Sequence, residues 1–444
     1  MRFIPHTEKD IEEMLKEIGV SSIDELFKDI PEEVKLKRDL NLPPPLDEIR
    51  LKEYIDETLS LNLKIKRIFL GGGAYFHFIP STVNYVLSRG EFYTSYTPYQ
   101  PELSQGILQA IFEFQSVLSD LTHADITNAS MYDGATSLAE GVLIAERIKK
   151  RKKVLVSRSL NPEYNEVLKT YLLPREIEID YVDFNEKGEI DLNKLNEKLK
   201  NGYSSFVVQN PNYFGIVENL REIGNLLKDK DTLFILTITE PISLGILKPP
   251  FDFGVDIVAI EGQSFGIPLS FGGPYLGILQ TKRDFIREIP GRLIGETIDR
   301  NGNRCFVMTL RAREQDIRRE KATSNICTNN ALCALASLVY LVTIGPDGLK
   351  KIAEINYKKS HYLAKRLIDE GFELKFNNFS FFNEFALKLP FSTLKLKEKL
   401  STVGIDGGIP LRYFGFDDSY LFTVTEMNSR EDIELLVCAL KEGL

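Results

Sequence analysis

From Phe69 onward the chain alternates short apolar runs with amphipathic stretches. The runs Lys153–Ser157, Ile177–Val182, Ser205–Gln209, Leu233–Thr237, Ile257–Ile260 and Leu276–Gln280 are mostly bounded by turn residues, and most are apolar on both faces. Strands buried under helices on both sides need that composition. Between the runs, Thr136–Lys150, Asn161–Tyr171 and Leu220–Lys228 carry apolar residues at helical spacing. The alternation predicts an α/β domain on a mainly parallel sheet. Ile257–Ile260 and Leu276–Gln280 stand too close together for a helical crossover, so a short antiparallel or irregular connection is expected.

The ends of the chain follow other rhythms. Asp10–Ile18 and Ser22–Ile30 show helical spacing, with Ser22 and Glu25 resembling a capping box. Pro43-Pro44-Pro45 forms a stiff connector, and Leu46–Leu61 returns to helical spacing. Near the C-terminus, helices are predicted over Ala331–Thr343 (ended by Gly345-Pro346), Gly348–Glu370, Ser392–Ser401 and Arg430–Lys441, with strands over Glu384–Lys388 and Leu421–Val424. The expected organisation is a helical arm over 1–62, a large α/β domain over 63–343 and a small α+β domain over 344–444.

Composition narrows the possibilities. The 444 residues carry a net charge of -9 with both signs interleaved, which argues against a nucleic-acid partner. The basic run Lys149–Lys153 is expected as a solvated helix end. No window reads as a bilayer span and no apolar leader opens the chain, so no membrane partner and a cytoplasmic location are expected. Cys305, Cys327, Cys333 and Cys438 form no C-x-x-C pair and the four histidines are scattered, so no metal site is expected.

Self-contained catalytic sets fail on local grounds. Gly262-Gln263-Ser264-Phe265-Gly266 spells G-x-S-x-G after a strand, but Pro268 and Gly272-Gly273-Pro274 forbid the helix that a nucleophile elbow requires. Gly71-Gly72-Gly73 lacks the Lys-Ser/Thr of a nucleotide loop and reads as a tight turn.

A helical arm, a large α/β domain and a small C-terminal domain are together similar to pyridoxal-phosphate (PLP) enzymes of the aspartate-aminotransferase type, fold type I. Such enzymes anchor PLP through a lysine just after a late strand of the large sheet. The matching stretch, Asp256 to Pro274, contains no lysine. Long motifs then carry a closer likeness: FLGGGAYFHFIP from Phe69, EFYTSYTPYQPELSQGILQAIFEFQ from Glu91, NASMYDGATSLAEG from Asn128, GQSFGIPLSFGGPYLG from Gly262, PGRLIGETID from Pro290, REQDIRREKATSNICTN from Arg313 and FFNEFALKLP from Phe381. Across almost its whole length the chain resembles the glycine-cleavage P-protein family, in particular the first subunit of its two-subunit form.

The resemblance implies a division of labour. The cofactor-bearing subunit of that family has an H-K-T-F element; aligned through Phe265, it sets Gln263 over the Schiff-base lysine. An amide nitrogen, delocalised into its carbonyl, forms no stable imine. PLP would therefore be held by a homologous partner subunit in an α2β2 assembly, where glycine loses carbon dioxide and the aminomethyl group passes to the lipoyl arm of H-protein. No catalytic residue is expected in this chain. It would lend wall groups instead: Tyr96, Thr97, Tyr99 and Gln100 as pocket lining or as simple packing; Ser324, Asn325, Thr328 and Asn329 toward the partner's PLP phosphate or as helix caps; and Arg313, Arg319 and Lys321 as interface cations or as a solvated face. Ser130–Thr136 aligns with the phosphate-cupping turn and is expected to keep its shape without a ligand. Glu240 reads as a carboxylate that starts a turn. Two other readings stay open: a self-sufficient PLP enzyme using Lys248 or Lys321, and a scaffold.

Overall fold

The structure, a computed structural model, describes residues 5–326 and 328–442; Cys327, inside one of the segments singled out above, lies outside them. The chain divides into two compact units, Met1–Asn62 and Leu63–Leu444. In the first, helix Glu8–Ile18 starts at Thr7, whose N–H donates to Asp10 Oδ2 at 2.7 Å while its hydroxyl accepts the Asp10 N–H. Where spacing predicts a helix over Ser22–Ile30, a single 3₁₀ turn forms, Ile23–Phe27. Glu25 reaches back to Ser21 rather than Ser22, so the reciprocal pair that would launch an α-helix is missing. Helix Glu48–Ser60 follows, capped by Asp47 on the Arg50 N–H at 2.9 Å.

Among the described residues of the second unit, seven strands form the main sheet: β1 (Ile126–Thr127), β2 (Lys153–Ser157), β3 (Glu178–Val182), β4 (Ser205–Gln209), β5 (Leu233–Ile238), β6 (Ile257–Glu261) and β7 (Gly277–Thr281). Their order is β1-β7-β6-β5-β4-β2-β3, parallel from β3 to β6 and antiparallel on both sides of β7. Successive side chains feed opposite cores. Leu155, Phe206, Leu236, Val258 and Ile260 enter one, while Val154, Val156, Val207, Ile235 and Ile257 enter the other. Each such burial contributes about 1.5–3 kcal/mol, and this doubled core is why the strands read as continuous apolar runs.

Two helices matter for the site. α1 (Gly134–Lys149) packs on one face; Asp133 accepts the Thr136 N–H at 2.7 Å, and Thr136 Oγ1 accepts the Asp133 N–H at 3.2 Å. Three cations at and just beyond its end are paired, Lys149 and Arg151 with Asp231 and Lys152 with Glu146. α2 (Ala331–Asp369) joins the two helices predicted over this range, kinked at Gly345 with φ 64° and ψ 178°. Contrary to expectation, it holds a stretch long and apolar enough to cross a membrane. In the fold Ala334, Leu338 and Leu341 of this helix are buried in one core cluster with Val83, Phe114 and Leu118.

Beyond α2, strands Glu384–Lys388, Phe416–Thr423 and Ile409–Leu411 form a three-stranded antiparallel sheet. The short strand Arg67–Phe69 pairs with Ile405–Gly407, which sets the Gly71–Gly73 turn beside this second sheet.

Candidate functional site

The C-terminal end of β6, the Gly71–Gly73 turn and the start of α1 border one cleft of about 770 Å³. Ligands of open α/β sheets sit at such strand ends. Gln263, two residues past β6, does not itself line the cleft; it is buried with its amide fully engaged. Its Oε1 accepts the Tyr75 N–H at 2.8 Å, and its Nε2 donates to the carbonyls of Tyr75 and Ile267 at 3.0 and 2.7 Å. Gln263 thus ties the Gly71–Tyr75 turn to the end of β6.

Its neighbour Glu261 is also buried. Oε1 accepts the N–H groups of Gln263 (3.0 Å) and Leu276 (3.1 Å), and Oε2 accepts that of Gly134, the first residue of α1, at 2.9 Å. Burial pushes this carboxyl up to about 8 against the pull of those donors.

Behind the turn lies a polar cluster in which sequence reasoning assigned no chemistry. His77 Nε2 lies 2.9 Å from Glu240 and Nδ1 2.8 Å from Glu426. Burial alone would depress the imidazole, but the two carboxylates outweigh it and raise His77 to about 10. Glu240 does start a turn, accepting the Ile242 N–H at 3.1 Å, and its other oxygen serves His77. Glu384 accepts the Gly72 N–H, the Tyr75 hydroxyl and the Thr423 hydroxyl, each at 2.7 Å, and burial raises it to about 7. A Cβ at Gly71 would fall 2.2 Å from Thr423 Oγ1 and 2.3 Å from Glu384 Oε1, so only glycine fits. The signal lay in two quoted motifs, GGGAYFH and FFNEF, whose polar residues meet across the fold.

Two of the other expected segments come together through Arg292, a residue without an assigned role at the sequence level. Its guanidinium donates to Asn329 Oδ1 at 3.0 Å, approaches Thr97 Oγ1 at 3.4 Å and lies 5.8 Å from the Tyr99 ring. Asn329 also donates to the Ala129 carbonyl at 2.6 Å, so it braces the chain rather than capping α2, whose cap position is Asn330. Ser324 is drawn to Glu140 at 2.6 Å; Thr328 is half-buried, and Asn325 and Gln100 are exposed. Tyr96 is 75% exposed and borders an apolar hollow of about 120 Å³ with Ile107, Phe114 and Leu335. Of the cations, Arg313 is buried and donates to the Gly291 and Leu310 carbonyls, whereas Arg319 and Lys321 are exposed. Arg313 therefore has a bracing role that neither surface reading anticipated.

Solved structures that share this architecture are PLP-dependent enzymes of fold type I. An apo cysteine desulfurase from Thermococcus onnurineus NA1 matches with TM-score 0.64 at 17% identity over 85% of this chain and 95% of that one. A glutamate decarboxylase from Lactobacillus brevis matches with TM-score 0.69 at 12% identity over 93% and 95%. The chain belongs to the glycine cleavage system P-protein family, whose match spans residues 1–440. It is 50% identical over 451 residues to a probable glycine dehydrogenase (decarboxylating) subunit 1 of Dictyoglomus turgidum, covering 100% of this chain and 99% of the relative. The Listeria monocytogenes counterpart is 46% identical over 444 residues, with 99% and 98% covered. A crystal structure of glycine decarboxylase (P-protein) of the glycine cleavage system in inhibitor-bound form matches with TM-score 0.90 at 43% identity over 100% of both chains.

The residues around this chain's cleft do not fit PLP. Gln263, the residue expected over the anchoring lysine, has an amide with every hydrogen-bonding group occupied. Among the described residues lining the cleft there is no lysine or arginine, whereas Asp133, Glu163 and Glu261 are present. Lys248 and Lys321 are both exposed and do not line it.

Proposed function

We propose that this chain is the subunit of a two-chain glycine decarboxylase that does not anchor the coenzyme. A homologous lysine-bearing subunit binds PLP, which supplies the electron sink when carbon dioxide leaves glycine. The aminomethyl group then passes to the lipoyl disulfide of H-protein, reducing it. The two kinds of subunit pair in an α2β2 assembly in the cytoplasm.

The observation that supports this reading is Gln263, an amide held by three hydrogen bonds and aligned, through Phe265, with the lysine that fold type I enzymes need as a primary amine. The chain's contribution lies in its surfaces. The Tyr96–Gln100 loop and the Ser324–Asn329 segment, held together by Arg292, present aromatic and polar groups to the partner's pocket, and the exposed Arg319 and Lys321 add positive charge to the interface. Arg313 positions the backbone between them.

Exchange of labelled bicarbonate into glycine tests this. The reaction is expected to need both chains, PLP and H-protein, and to be absent from either subunit alone. Exchange catalysed by this chain alone with PLP, with a borohydride-reducible adduct on one of its lysines, would overturn the proposal.

A further inference from the structure

A missing lysine is a single substitution, and a lysine put back should restore the anchor if nothing else had changed. The cleft holds a second obstacle. The start of a helix that follows a strand is where α/β folds seat an anion, because its first N–H groups have no partner within the helix. α1 begins this way, after β1 and the Asp133 cap, and its Gly134 N–H faces the end of β6. That N–H is taken by Glu261 Oε2 at 2.9 Å. The opposite oxygen of Glu261 is fixed by the Gln263 and Leu276 N–H groups, so the carboxyl cannot swing aside without breaking three hydrogen bonds. Space is short as well. A Cβ at Gly134 would lie 2.9 Å from the Glu261 Cβ and 2.9 Å from its backbone nitrogen. Asp133 and Glu163 add further acidic groups to the lining, and among the described lining residues no cation offsets them.

We propose that Glu261 stands in for a phosphate at the head of α1, so that this cleft rejects phosphorylated ligands independently of Gln263. The inference rests on the reading of Gln263 as the vacated anchor, and it adds a different mechanism: one residue removes covalent attachment and the other fills the anion seat. It follows that Gln263→Lys restores an amine without restoring affinity for PLP.

The full-length chain tests this with two aldehydes, PLP and pyridoxal, which differ in the phosphate. A lysine amine condenses with either aldehyde, releasing one water, and borohydride reduces the C=N bond to a stable amine that peptide mapping locates. In Q263K, labelling at position 263 is expected to show no more than about a twofold preference for PLP over pyridoxal. In E261S/Q263K the preference should rise about tenfold or more, with pyridoxal labelling unchanged. A preference above about tenfold in Q263K, with Glu261 intact, overturns the proposal whatever the double variant does. A second arm needs no lysine: E261S is expected to bind inorganic phosphate by titration calorimetry at least about tenfold more tightly than the unaltered chain. Equal phosphate affinity in the two also overturns it. PLP attachment to the unaltered chain would instead overturn the functional reading, so the two failures are distinguishable.

Discussion

His77 is held by charge on both sides, and its removal gives a measurable prediction. Its ring nitrogens lie 2.9 Å from Glu240 and 2.8 Å from Glu426, and the side chains of His77 and Glu240 are each 2% exposed. His77→Ala leaves two carboxylates in the interior without their cation. Removing one partner of a buried ion pair costs about 3–5 kcal/mol. Hydrogen bonds to charged groups contribute about 1.5–3 kcal/mol each, and two are lost here, so the estimates agree. The variant is therefore expected to lose about 3–5 kcal/mol of unfolding free energy at neutral pH, read from the urea midpoint at unchanged slope. The pH dependence has a defined sign. The folded imidazole titrates at about 10 rather than 6.5, so its stabilisation is complete below the lower value and is lost as pH rises through the upper. In the variant Glu426 loses the cation that holds its carboxyl below the usual range, so it takes up a proton more readily as pH falls and the deficit shrinks toward pH 5. A deficit below about 1 kcal/mol, or one equal at acid and neutral pH, would refute the imidazolium between two carboxylates.

Other expectations follow from the same geometry. Gly71→Ala drives a methyl into Glu384 and Thr423 and should cost about 2–4 kcal/mol, seen as a lowered thermal midpoint with far-UV circular dichroism unchanged below the transition. Gln263→Leu strands the Tyr75 N–H and two carbonyls and should destabilise by about 2–4 kcal/mol; a neutral result in urea unfolding would mean that the turn finds other partners. Asn329→Ala breaks the link to Arg292 and the Ala129 carbonyl, and is expected to lower bicarbonate exchange by the reconstituted enzyme about tenfold. Its isolated chain should lose about 1–3 kcal/mol.

The parallel strands were legible in the sequence nearly to the residue because each is buried on both faces, which leaves an uninterrupted apolar run. The helix expected after Ser22 was not formed, since apolar spacing over a few residues cannot separate one 3₁₀ turn from an α-helix once the capping carboxylate slips by one position. Gln263 stood out because an absent lysine is visible in a single line of text. His77 did not, because its partners are 163 and 349 residues away, and no local pattern encodes a meeting over that distance. Arg292 escaped notice for the same reason: its contacts to Thr97 and Asn329 come from loops far apart in the chain. Arg313 was hidden within a run of mixed charge, where most cations face water and this one is buried.

The satisfied amide at Gln263 also bears on how the protein survives in the cell. A chain that needs its coenzyme to complete the interior gains stability in proportion to the logarithm of free coenzyme, and weakens when that supply runs low. Here the turn and the strand end are already tied by the chain's own side chain, so vitamin shortage removes nothing from the isolated polypeptide. On the proposed division of labour, it can accumulate intact while the coenzyme-binding subunit stands empty.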